Sequence, residues 1–190
     1  MTILPIDEIN ALEDKLKPHF NEEGKIKSRQ DAEDIIDELL DLFLLSYANG
    51  ATATNSELGT AVMPPVAAVD AAVYAPVAGE TWRDRVMGYY ESGGSLYDIR
   101  RIAETDATRI YNQGAVDAVV VNGLQGSTSK RWQTMEDDRV RDSHSYLQGM
   151  VVPFDADFYT YDGDHAPFPG MFELPENSIN CRCVVEIIRG

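Results

Sequence analysis

The sequence predicts an α+β protein, with a helical N-terminal half containing one long helix and a loop-rich C-terminal cap built on a small antiparallel sheet. Three observations predict it. Apolar residues recur at helical spacing through most of the first 125 residues. Ser or Thr followed by Asp three positions on opens several of these stretches, a pattern that resembles a capping box. Beyond Gly126 the periodicity changes to strand-like alternation, interrupted by loops rich in Asp, Pro, Gly and aromatics.

The elements follow in order. In PIDEINALEDKLK, Ile6, Ile9, Leu12 and Leu16 form a helical stripe that Pro18 stops, and NEEGK is a turn. Ser28 and Asp31 open a second helix, with Ala32, Ile35, Ile36, Leu39, Leu40 and Phe43 on one face. Asp34, Asp37, Glu38 and Asp41 make its other face, solvated or else a dock for a basic partner. Asn49-Gly50 reads as its C-cap. The next residues, to Pro65, look like a linker, and VAAVDAAVYA fits either a short helix or an extended contact segment. Thr81 and Asp84 open a helix that Gly93-Gly94 ends. Ser95 and Asp98 open the long one, whose stripe of Leu96, Ile99, Ile102, Ala103, Ala107 and Ile110 runs towards Asn122-Gly123. Asp106 and Arg109, spaced i, i+3, can pair along it, at the least as a weak surface ion pair. KRWQTM then reads as a strand, EDDRVRDSH as a charged turn, GMVVPF as a short strand, residues 155–178 as a long loop and CRCVVEII as the closing strand. The expected organisation is a helical segment over 1–50, a linker or contact segment over 51–79, a helical stem over 80–124 and the cap over 125–190.

With 32 acidic and 16 basic side chains the chain carries a net charge of −16, a field that repels phosphate backbones and anionic lipid. DNA contact and membrane binding are therefore disfavoured. MTILPIDEIN has neither a basic start nor a long apolar run, and AVMPPVAAVDAAVYAPVAG is broken by three prolines and Asp70, so neither a secretory signal nor a membrane span is expected. Synthesis in the cytoplasm keeps thiols reduced.

Three chemistries have candidate residues in the last third of the chain. His144, His165, Cys181 and Cys183 are a candidate zinc set of two nitrogens and two sulfurs, although C-x-C is less common than a C-x-x-C knuckle. Asp137, Asp138, Asp162, Asp164 and His165 are candidate magnesium ligands for phosphodiester cleavage. Cys181 or Cys183 with a histidine is a candidate nucleophile, yet the flanking Val and Ile suit a buried strand better than an activated thiolate. No glycine-rich phosphate loop, nucleophile elbow or H-E-x-x-H occurs. The expectation is a helical stem with a cap, no catalytic set, no cofactor, and reduced structural thiols in the closing strand.

The runs RIAETDATRIYNQG, KRWQTMEDDRVRDSHSYLQGMVVPFDADF, PG and NSINCRCVVEII, between about Arg101 and Arg189, resemble the phage head morphogenesis family, the Mu F-like minor head proteins. The matching residues are Thr105, Trp132, Asp138, Arg139, Arg141, His144, Gly149, Pro169, Gly170, Asn180, Cys181, Arg182 and Cys183, with Asp106 where the family pattern has Glu. The resemblance implies a low-copy virion protein that meets the portal, capsid and scaffold proteins. It would be assembled in the host cytoplasm and act in head assembly, DNA packaging or genome delivery. Some relatives carry enzymatic extensions, for which this chain has no expected counterpart. The signature is expected to hold the cap together. Arg139 or Arg141 would bond Asp138, Asp142 or loop carbonyls, Arg182 would join them, and the Asn180 side chain would cap a loop end.

Overall fold

A computed structural model describes residues 6–190. The start of the MTILPIDEIN stretch and the side chain of Ile6 lie outside the described residues.

Helix α1 (Ile6–Leu16) buries Ile9, Leu12 and Leu16, and Pro18 turns the chain into a short 3-10 segment, Lys17–His19. Helix α2 (Arg29–Leu58) starts where Ser28 Oγ accepts the Asp31 N–H at 3.1 Å. Helix α3 (Val66–Val73) settles the VAAVDAAVYA stretch as helical. Helix α4 (Trp82–Ser92) opens with a reciprocal cap in which Thr81 Oγ1 accepts the Asp84 N–H and Asp84 accepts the Thr81 N–H, each at 3.2 Å. Helix α5 (Leu96–Val121) is anchored by the Asp98 carboxylate, which accepts the Ser95 N–H at 2.9 Å.

Among the described residues, every strand lies beyond Gly126. β1 (Thr128–Gln133) is the centre of an antiparallel sheet, flanked by β2 (Val151–Pro153) and β5 (Val184–Arg189). Its inner face alternates Thr128, Lys130 and Trp132, and Trp132 sits opposite Val185. Helical turn α6 (Asp142–Ser145) links β1 to β2. The long loop holds the hairpin of β3 (Phe158–Tyr159) and β4 (His165–Ala166), then the turn α7 (Pro175–Ser178). The α+β class and the small antiparallel sheet are as predicted.

Three expectations are corrected. Helix α2 does not stop at Asn49-Gly50 but runs two further turns, into the stretch that reads as linker. Gly50 serves a crossing instead: a Cβ there would lie 2.0 Å from Tyr111 O, and one on Gly114 would lie 2.3 Å from Tyr47 O. Helices α2 and α5 thus touch backbone to backbone, and this packing carries the end of α2, where Thr52, Thr54, Asn55 and Ser56 are weaker helix formers than the alanines among them. Second, the Asp106–Arg109 pair is not on the surface, being 0% and 1% exposed. Third, the closing strand begins at Val184, so Cys181 and Cys183 sit in the extended approach to it.

Two main apolar cores result. The first fills the space among the helices, with Trp82 packed edge-on to Phe43. The second surrounds Trp132 with Leu147, Phe158, Phe172, Cys181 and Cys183, and takes Ala115 and Val119 from α5. Helix α5 belongs to both.

Candidate functional site

The face of α5 between the two cores carries buried polar residues. Asp106 accepts from Arg85 Nη2 at 2.5 Å and from Arg109 Nη2 at 3.3 Å, while Arg109 Nη1 donates to Ala72 O at 3.0 Å. Burial pulls the Arg109 guanidinium below its usual range, against the attraction of Asp106. One turn on, Asn112 Nδ2 donates to Pro169 O at 3.0 Å and Cys183 O at 3.1 Å, and its Oδ1 accepts the Val185 N–H at 2.9 Å. A single buried amide therefore ties the stem to the Pro-Gly loop and to the closing strand. Thr105 Oγ1 accepts the Asn180 N–H at 2.9 Å. Glu104 receives Arg100 Nε and Arg139 Nη2, both at 3.1 Å.

The cap answers with its own signature. Gly170 follows Pro169 at φ 90°, and a Cβ there would come 3.1 Å from Arg109 Cβ, so glycine satisfies both the turn and the close approach to α5. The N–H of Gly149 donates to Trp132 O at 2.8 Å, pinning the turn before β2. Arg141 donates to the Ile179 carbonyl, as expected for a loop clamp. Arg139 reaches Glu104 on α5 instead of Asp138 or Asp142, because the charged turn folds back on the stem. Arg182 pairs with Asp137 at 2.7 Å and holds that carboxyl below the usual range. Asp138 is exposed and makes no side-chain hydrogen bond or ion pair among the described residues. The Asn180 side chain caps nothing: its Oδ1 is buried without a partner among the described residues, and the residue is instead used at φ 58°, a conformation asparagine tolerates.

The proposed magnesium ligands do not converge among the described residues. Asp164 is buried in the loop, accepting the N–H groups of His165, Glu173 and Leu174 at 2.9–3.2 Å and Asn177 Nδ2 at 2.9 Å. Asp162 takes the Thr160 hydroxyl, and Asp137 takes Arg182.

The four-residue zinc set divides. His165 lies in the β3–β4 hairpin, paired with Asp157 at 2.9 Å. His144, by contrast, is 1% exposed and places Nδ1 3.7 Å from each of Cys181 Sγ and Cys183 Sγ. Both cysteines are free and buried. Hydrogen bonding with Cys181 and burial push the Cys183 thiol up, whereas contacts from Cys183 and His144 draw Cys181 down. Buried at 2% and 4% exposure, this Cys–His contact offers no approach to a substrate.

Sequence reasoning missed Glu104, Asn112 and Asn177, and it assigned Asp164 to a magnesium set instead of to the loop that this carboxylate holds together. Asn112 had a signal: Thr105, Arg109 and Asn112 recur at i, i+4 and i+7, a polar stripe beside the apolar one. An acidic residue in an acidic loop, such as Asp164, has none.

Fold and site together define an interlocked α+β module, in which one long helix carries the polar residues that close a small cap. The model of the Phage Mu protein F like protein family matches residues 78–186, more than half of the chain, and the chain belongs to that family. It is 26% identical over 91 residues to Minor head protein GP7 of Bacillus phage SPP1, a match covering 48% of this chain and 30% of that protein. It is 31% identical over 104 residues to the NAD(+)--arginine ADP-ribosyltransferase EFV of Enterococcus faecalis, covering 53% of this chain and 21% of that protein. The chain thus matches less than a third of the length of either curated relative. No solved structure gives a significant match. Among the described residues no helix is long and apolar enough to cross a membrane.

Proposed function

We propose that this chain is a minor head protein of a bacteriophage. It would be a low-copy virion component that meets the portal, capsid or scaffold proteins and acts in head assembly, DNA packaging or genome delivery. The observation that carries the reading is where the family residues fall. Thr105, Asp106, Arg139, Arg141, Pro169, Gly170 and Asn180 make contacts that bind stem to cap and cap to itself. Such residues preserve a shape for other proteins to bind. In this reading residues from about 80 onward form the family module, the earlier helices are an appendage packed on it, and the signature acts structurally. The protein sits inside the head or near the portal, with DNA held off by the acidic surface.

Mass spectrometry of purified particles from the encoding phage, together with co-purification against its portal protein, tests this. The chain should appear in heads at a small fraction of the coat protein signal and should be retained by the portal. Absence from both procapsids and mature particles would sink the reading. The match to a transferase calls for a parallel assay with labelled NAD+ and arginine-bearing acceptor protein. Label transfer would overturn the non-enzymatic part.

A further inference from the structure

We infer that His144 Nδ1 and the thiolates of Cys181 and Cys183 form a zinc-binding site. The three ligand atoms lie within 4.8 Å of one another, each sulfur 3.7 Å from the nitrogen. Bond lengths of about 2.3 Å to sulfur and about 2.05 Å to nitrogen at tetrahedral angles place sulfur and nitrogen about 3.6 Å apart. Both sulfur–nitrogen separations therefore already match a tetrahedral site, and the two sulfurs lie within 4.8 Å of each other. Their chemistry selects zinc over magnesium or calcium, because thiolate and imidazole are soft or borderline donors.

Charge supports the same ion. Two thiolates and a neutral imidazole cancel a divalent cation, so the loaded site is neutral and can be as buried as these residues are. On the side facing Asn180 and Val140 there is a cavity of about 10 Å³, close to the volume of one water. Asn180, whose Oδ1 is buried without a partner among the described residues, lines that cavity and would hold a water in the fourth position. Arg141 and Arg182 line it too. His165, the fourth ligand suggested by composition, is committed to Asp157 and takes no part. The ion would join α6 to the approach of β5, across two pieces of chain that share no strand pairing. This inference is independent of the head-protein reading.

Full-length protein, expressed in zinc-supplemented medium and purified reduced and without chelator, should carry one zinc per chain by elemental analysis. Titration of the demetallated protein with CoCl2 should give a thiolate-to-cobalt charge-transfer band and the intense visible bands of tetrahedral cobalt. The Cys181→Ser/Cys183→Ser variant, checked for helical content by circular dichroism, should lose both signals. If that variant does not fold, the cobalt spectrum of the unaltered protein decides alone. Folded, reduced protein without zinc and without the cobalt–thiolate band would overturn the site. So would zinc retained by a folded double variant, since the ion would then lie elsewhere, for instance at His19, Asp31 and Asp34.

Discussion

At the scale of the residue, the most consequential group is Asp106. It is fully buried, and its charge is balanced by Arg85 and Arg109, of which Arg109 is itself buried. Removing one partner of a buried pair leaves an uncompensated charge, which costs about 3–5 kcal/mol, whereas removing both into apolar residues is often close to neutral. Asp106→Asn should therefore lower stability by about 3–5 kcal/mol in urea melts. Asp106→Asn with Arg109→Met should recover much of that loss. A double variant no more stable than the single one would mean that Arg85, not Arg109, is the partner that matters. The two cap arginines differ for the same reason of burial. Arg139 holds a surface-facing pair with Glu104, and Arg141 holds a loop carbonyl from a half-buried position. Arg141→Ala should thus be the more damaging of the two in the same melts, since exposed pairs contribute little.

At the scale of the element, the crossing of α2 and α5 rests on the absence of two side chains. Ala is the better helix former by about 1 kcal/mol, so at an ordinary helix position Gly→Ala would stabilise. At Gly50 and Gly114 the new methyl would meet a carbonyl of the opposite helix at 2.0 Å and 2.3 Å. Backbone cannot yield as a side chain end can, and overpacking of this kind costs typically about 1–3 kcal/mol or more. Both Gly50→Ala and Gly114→Ala should lower the melting temperature; a rise in either would mean that the helices separate easily. The start of α2 makes a pH prediction. Hydrogen bonds from Ser28 and then His19 hold Asp31 below its ordinary value of 3.8. A carboxyl depressed in the folded state stabilises above its unfolded value and loses that contribution as pH falls through the folded value. The acid limb of the stability curve below pH 3.8 should therefore be shallower in Asp31→Asn than in the parent, by chemical denaturation across pH.

At the scale of the whole molecule, a net charge of −16 on 190 residues makes the folded chain repel itself. Raising ionic strength from about 0.01 M to about 0.15 M shortens the screening length from about 30 Å to about 8 Å. The melting temperature should rise over that interval by scanning calorimetry, since screened self-repulsion outweighs the loss of exposed ion pairs such as Lys15–Glu38. A fall would show that the surface pairs dominate. The same field should keep duplex DNA from being retarded in gel shift at low salt, where attraction would be strongest.

The sequence by itself determined the α+β class, the long helix from Leu96 to Val121, the sheet after Gly126 and the family, because these rest on local periodicity, cap chemistry and the order of short motifs. The tertiary structure alone decided where α2 ends. Asn49-Gly50 has the local signature of a helix stop, yet packing against α5 gives Gly50 a use inside the helix and carries the chain on to Leu58. It also decided which histidine meets the cysteines, and that Asn112 joins the stem to two distant pieces of the cap. A side chain's partners across 37 to 73 residues depend on how helices and loops stack, and no spacing within a single stretch records that.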